Sequence, residues 1–134
     1  MSSITTILTE LNREHNVDFW SDVARIEIRN ALNELSADEW KELISDWNKL
    51  SEEGCIKLAE AATISTGTGA MDLLTNMLQS RSTKVGVAVA EALIEKNYLW
   101  DPENSLLNDL RRHLSNTEGG DRDIIQRLIN RLPS

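Results

Sequence analysis

Few side chains in this sequence are able to do chemistry, and their spacing decides what they can do. His15 and His113 are its two histidines and Cys55 its one cysteine. His15, with Asp18 and Asp22 nearby, has the donor types of a metal site, yet no HExxH or comparable spacing gathers them on one face. His113 stands between Arg112 and Leu114 beside an apolar line, which reads as a core or edge histidine. Cys55 shares a helical face with Leu58, Ala59 and Ala62, where a thiol behaves as a small hydrophobe. The glycine-rich STGTGAM at 65–71 lacks the GxxxxGK[ST] pattern and a preceding strand, so it reads as a turn between helices rather than a phosphate loop. With no nucleophile beside a base, no ligand set and no carboxylate pair held in a cleft, the sequence predicts no enzyme, no metal and no cofactor.

A different constellation points to binding. Asp38, Glu42 and Asp46 recur at i, i+4 and i+8, which places them in one line on a helix, with Glu39 alongside. Like charges so spaced cost a helix about a few tenths of a kcal/mol per pair. The helix dipole relieves Asp38, and Lys41 and Lys49 dilute the field, so a merely solvated face is one reading. The other is a ridge that steers a basic protein surface into contact. Tyr98 and Trp100, with Leu99 between them, are aromatic anchors of the kind that dominate interfaces, or else they seal the gap between neighbouring helix pairs.

The elements that must position these residues are bounded by length and composition. A chain of 134 residues fits one domain, residues 1–134, large enough to bury a core unaided. One cysteine excludes an internal disulfide and fits a reducing compartment. MSSITTILTELNRE has no basic region or cleavage site of a signal peptide, and no apolar run reaches the roughly 18 residues that cross a bilayer, so the expected address is cytoplasmic, off the membrane. The formal charge of −8 disfavours direct contact with nucleic acid or anionic lipid and favours a basic partner. The acidity is lopsided: residues 1–67 carry 13 acidic against 6 basic side chains, and residues 68–134 carry 9 against 8.

Apolar periodicity then gives eight short helices. Ile4, Ile7, Leu8 and Leu11 mark the first, to about Glu14. Ala24, Ile28, Ala31 and Leu35 mark the second, from about Trp20 to Glu34, with Val23, Ile26 and Leu32 expected to widen its buried face. LSADEW at 35–40 is a capping box that starts the third, along which Trp40, Leu43, Ile44, Trp47 and Leu50 turn inward. Ser51 caps the fourth, and Ala70, Leu73, Leu74, Met77 and Leu78 line the fifth. In KVGVAVAEALIEK, Val85, Val87 and Val89 alternate like a strand, but no Gly, Pro or Asn ends the run after Val89, so one helix over about Thr83–Lys96 is expected, with Asn97 in the left-handed position beyond it. Asp101 and Pro102 open the seventh, which carries Leu107, Leu110 and Leu114, and NTEGGD at 116–121 ends it. The eighth carries Ile125, Leu128, Ile129 and Leu132, with Arg122, Arg127 and Arg131 outside.

The eight helices pair into four units of about 33 residues, roughly 1–35, 36–67, 68–98 and 99–134. Ala31-Leu32, Ala61-Ala62 and Ala92-Leu93 recur within the second helices, 30 and 31 residues apart. VGVAVAEAL at 85–93 resembles the second-helix signature of HEAT-like repeats, V-R-x-x-A-A-E-A-L, through Val85, Ala90, Glu91, Ala92 and Leu93; Gly86 stands in place of the arginine and Val89 in place of the first alanine. The resemblance implies a compact all-α solenoid of the HEAT/ARM kind. In overall profile, a small acidic helical chain, the sequence also resembles bacterial immunity proteins of the contact-dependent inhibition type. That resemblance implies an antidote that binds one cognate toxin domain, commonly a nuclease, and occludes its active or substrate-binding surface. A small protein-protein adaptor and an acidic mimic of nucleic acid are the alternatives.

Overall fold

The computed structural model describes residues 3–12, 20–97 and 105–132. Within them the regular structure is entirely helical, and there is no strand. The α-helices are α1 (Ser3–Leu11), α2 (Arg25–Asn33), α3 (Ala37–Asp46), α4 (Glu52–Ile64), α5 (Ala70–Met77), α6 (Thr83–Glu95), α7 (Ser105–Leu114) and α8 (Gly119–Arg131). A wide π turn, Trp20–Ala24, leads into α2, and a 3-10 turn, Trp47–Lys49, follows α3. The expected all-α architecture holds, including the helical reading of the valine-rich segment.

Local chemistry sets the ends. Ser36 and Glu39 form the reciprocal capping box of α3: the Glu39 amide donates to Ser36 Oγ at 3.2 Å and the Ser36 amide to Glu39 Oε1 at 3.1 Å. Ser51 and Ser82 cap α4 and α6 by accepting from the amides of Gly54 and Val85. Beyond α6, Asn97 takes the left-handed conformation at φ 54°. Gly67 and Gly69 allow the α4–α5 turn to lie on the Trp40 indole, since a Cβ on Gly69 would stand 2.3 Å from Trp40 Cδ2. The glycines of STGTG thus serve packing against a tryptophan.

Helices of 8 to 13 residues are marginal alone in water, so burial must hold them. One core runs from Ile4 to Leu132 and encloses Leu58, Leu73, Leu74, Leu93 and Leu110 completely. Each enclosed leucine contributes roughly 2 kcal/mol relative to exposure, more than the roughly 1 kcal/mol of a good cap. Trp40 and Trp47 are both core residues, and Trp47 Nε1 donates to Asn76 Oδ1 at 2.8 Å.

Contacts organise the helices into two rows. α4 packs on α2 and on α6, and α6 packs on α8; in the other row α3 packs on α1 and α5. Hydrogen bonds fix the direction of the even row. At its N-terminal ends the Ser82 hydroxyl donates to Glu52 Oε2 at 2.7 Å. At its C-terminal ends the Thr66 amide donates to Asn33 Oδ1 at 2.9 Å, Lys96 Nζ to the Ser65 carbonyl at 2.7 Å and Arg131 Nη1 to the Ile94 carbonyl at 3.4 Å. α2, α4, α6 and α8 therefore run parallel, with their C-terminal ends along one edge. Burial depresses the pKa of Lys96 at that edge.

The second helix departs from expectation. Leu32 is fully enclosed, but Val23 and Ile26 are 39% and 37% exposed. α2 begins the even row and has an even neighbour, α4, on one flank, so residues turned to the other flank stay in solvent. The first helix ends at Leu11 rather than near Glu14. The Asp101-Pro102 start of the seventh helix lies outside the described residues, as do His15 and Asp18.

Candidate functional site

Sequence spacing placed the acidic line on α3, and the structure divides it by role. Asp38 and Glu42 project into solvent. Glu39 is engaged in the capping box, and Asp46, partly covered, lies 3.3 Å from Lys49 Nζ. Two exposed carboxylates one helical turn apart, Asp38 and Glu42, are therefore what remains unengaged of the line. Tyr98 and Trp100 lie outside the described residues.

A concavity lies elsewhere. A groove of about 1020 Å³ opens across the even row. Its floor is apolar, built from Ile56 of α4, Val87 and Ala88 of α6 and Ile124 of α8. The register follows from the parallel helices: Glu53 and Lys84, Ile56 and Val87, Lys57 and Ala88, Glu60 and Glu91 are each 31 residues apart, so each pair occupies the same level on adjacent helices. The repeat that brings Ala61-Ala62 and Ala92-Leu93 into the core also brings these pairs to the outer face.

The π turn contributes Trp20 to the groove lining. Trp20 is buried there, with Nε1 donating to Glu60 Oε2 at 2.5 Å and Lys57 Nζ 5.6 Å from the ring centroid. Lys57 is itself almost wholly enclosed, its alkyl stem packed while its cation faces the indole. Around the mouth the exposed charges are Glu53, Glu60, Glu91, Glu95 and Asp121 against Lys84 and Arg127, and the half-buried Arg25 also lines the groove. Among the described residues the side chains of Glu53, Glu91, Glu95, Lys84 and Arg127 make no hydrogen bond or ion pair.

The two candidate reactive groups sit in the packing, away from this mouth. Burial, reinforced by the Glu52 charge, raises the pKa of the Cys55 thiol, whose Sγ lies 3.7 Å from the Trp47 carbonyl. His113 is 1% exposed, with Nε2 2.9 Å from the Leu78 carbonyl and the ring face on Gly86. Arg112 Nη2 reaches the same carbonyl at 3.0 Å, and its Nη1 reaches the Ser80 carbonyl at 3.2 Å. Among the described residues no three His, Cys, Asp or Glu side chains gather as a metal set, and no helix is long and apolar enough to cross a membrane.

Compared with known protein families, curated proteins and solved structures, the chain matches none.

Proposed function

We propose that this chain is a protein-binding module built as a HEAT/ARM-like stack of helix pairs. Its leading role is that of an immunity protein, which neutralises a basic toxin domain by covering its active or substrate-binding surface. The observation that carries the reading is the groove: a broad, open concavity with an apolar floor and a charged rim on which Glu53, Glu91, Glu95, Lys84 and Arg127 are unpaired among the described residues. Such a mixture suits a protein surface, which offers apolar anchors and counter-charges together. The parallel even helices and the 31-residue register support the stack, and the exposed Asp38 and Glu42 on α3 add a second acidic surface that attracts the same partner from a distance.

The test is co-expression with the product of the adjacent upstream gene, first shown to arrest growth alone. Growth restored by this chain, together with a stable complex of the two purified proteins, is the expected result. A toxic neighbour that kills equally well with and without the chain overturns the antidote role.

A further inference from the structure

The protein-binding reading leaves open which surface is the recognition site and what chemistry it selects. Three observations converge on the groove. Its floor offers half-buried apolar atoms at neighbouring levels on three adjacent helices, through Ile56, Ala88 and Ile124, enough to seat side chains from a crossing segment. Its exposed charges are five carboxylates against the two cations Lys84 and Arg127; of the two other cations in the lining, Arg25 is half-buried and Lys57 is buried and turned onto Trp20. The even helices also run parallel, so their negative dipole ends lie along the edge where Glu91 and Glu95 stand.

Glu91 and Glu95 are i, i+4 carboxylates on α6, a pairing that weakens an isolated helix, and both lack a counter-ion among the described residues. Arg131 and Lys96, the basic residues nearest in sequence to those helix ends, are spent on the Ile94 and Ser65 carbonyls. We infer that the groove takes a basic, amphipathic segment of the partner protein, with its apolar side chains on Ile56, Val87, Ala88 and Ile124 and its lysines or arginines on Glu91 and Glu95. The inference rests on the protein-binding reading, but it does not require that the partner be a toxin.

The probe is a synthetic peptide with leucine and arginine at helical spacing, matched by one in which glutamate replaces every arginine. Fluorescence anisotropy measures Kd, and amide chemical shifts locate the contact on the full chain. The arginine peptide should shift groove residues of α4, α6 and α8 and bind at least about tenfold more tightly than the glutamate peptide. Measured at an ionic strength high enough to screen charges outside the contact, the double variant Glu91→Lys, Glu95→Lys should weaken it by about tenfold or more, while Asp38→Lys, Glu42→Lys should change Kd by less than about twofold. Both variants alter exposed side chains, and matching circular dichroism and melting curves will show that each folds. Binding that ignores the Glu91/Glu95 reversal, shifts confined to α3, or equal binding of the glutamate peptide would overturn the assignment. If the arginine peptide maps to the groove while no toxin is neutralised, the antidote role falls and the groove assignment stands.

Discussion

Gly86 lies within α6, where glycine costs a helix about 1 kcal/mol relative to alanine, and the His113 ring accounts for its presence. A Cβ at position 86 would stand 2.7 Å from three ring atoms, so Gly86→Ala must displace an imidazole that is enclosed and bonded to Leu78. Overpacking of this kind costs about 1–3 kcal/mol, enough to outweigh the gain in helix propensity. Urea denaturation should show a net loss of stability, and His113→Ala should erase most of the Gly86→Ala penalty in a double-mutant cycle. The same ring makes the fold acid-sensitive. Burial lowers the His113 pKa from its ordinary 6.5; the Leu78 carbonyl opposes this, the Arg112 charge adds to it and Asp109 opposes it. The native state therefore holds the ring neutral, while the unfolded chain takes up a proton first as pH falls. His113 thus contributes fully above the ordinary imidazole value, and its contribution declines as pH drops below 6.5 toward the depressed native value. Denaturation midpoints compared at about pH 7.5 and about pH 5.5 should reveal the slope, and His113→Gln should flatten it.

Helices and caps were legible because their signals are local. Ser36 with Glu39, Ser51, and Asn97 after Lys96 each act within one turn of the chain, and each stands where its spacing predicts. The valine alternation of α6 was harder to interpret, since period two belongs to a strand. It resolves as a helix apolar nearly all round, with Val85 and Val89 enclosed in the core and Val87 in the groove floor. Ser82, just before it, does more than cap. Its Oγ accepts from the Val85 amide at 3.3 Å while its hydroxyl donates to Glu52 on α4, joining two helices at their N-terminal ends. Ser82→Ala should therefore cost more than the roughly 1 kcal/mol of an isolated cap, and Glu52→Gln, which keeps an acceptor, should cost much less. Thermal melts of the two variants decide this, and equal small losses would show that the bridge contributes nothing. The exposure of Val23 and Ile26 was illegible for the converse reason: periodicity reports which residues share a face but not whether a neighbour covers it.

At the scale of the molecule, the sequence displayed the ridge and concealed the groove. Asp38 and Glu42 share one helix, so i, i+4 spacing alone aligns them, whereas Glu60, Ala88, Glu91 and Ile124 come to line one groove only through helix-to-helix register. The 31-residue offset carried that register, but its use at the surface depends on which row of helices is open, and no single segment encodes this. The two acidic surfaces belong to different rows, α3 in one and α4, α6 and α8 in the other, so one small contact cannot cover both. Charges outside a contact act through the long-range field and govern the rate of encounter, whereas charges within it govern how long the complex lasts. Asp38→Lys, Glu42→Lys should therefore slow association with the basic partner several-fold at low salt and leave dissociation nearly unchanged. Glu91→Lys, Glu95→Lys should chiefly speed dissociation. Stopped-flow association and competition-chased dissociation, each at low and high ionic strength, separate the two. Raising salt should remove most of the ridge effect, because an exposed charge beyond about 8–10 Å of the contact is screened. If instead the ridge variant speeds dissociation at high salt, the partner sits on α3 and the two surfaces exchange roles.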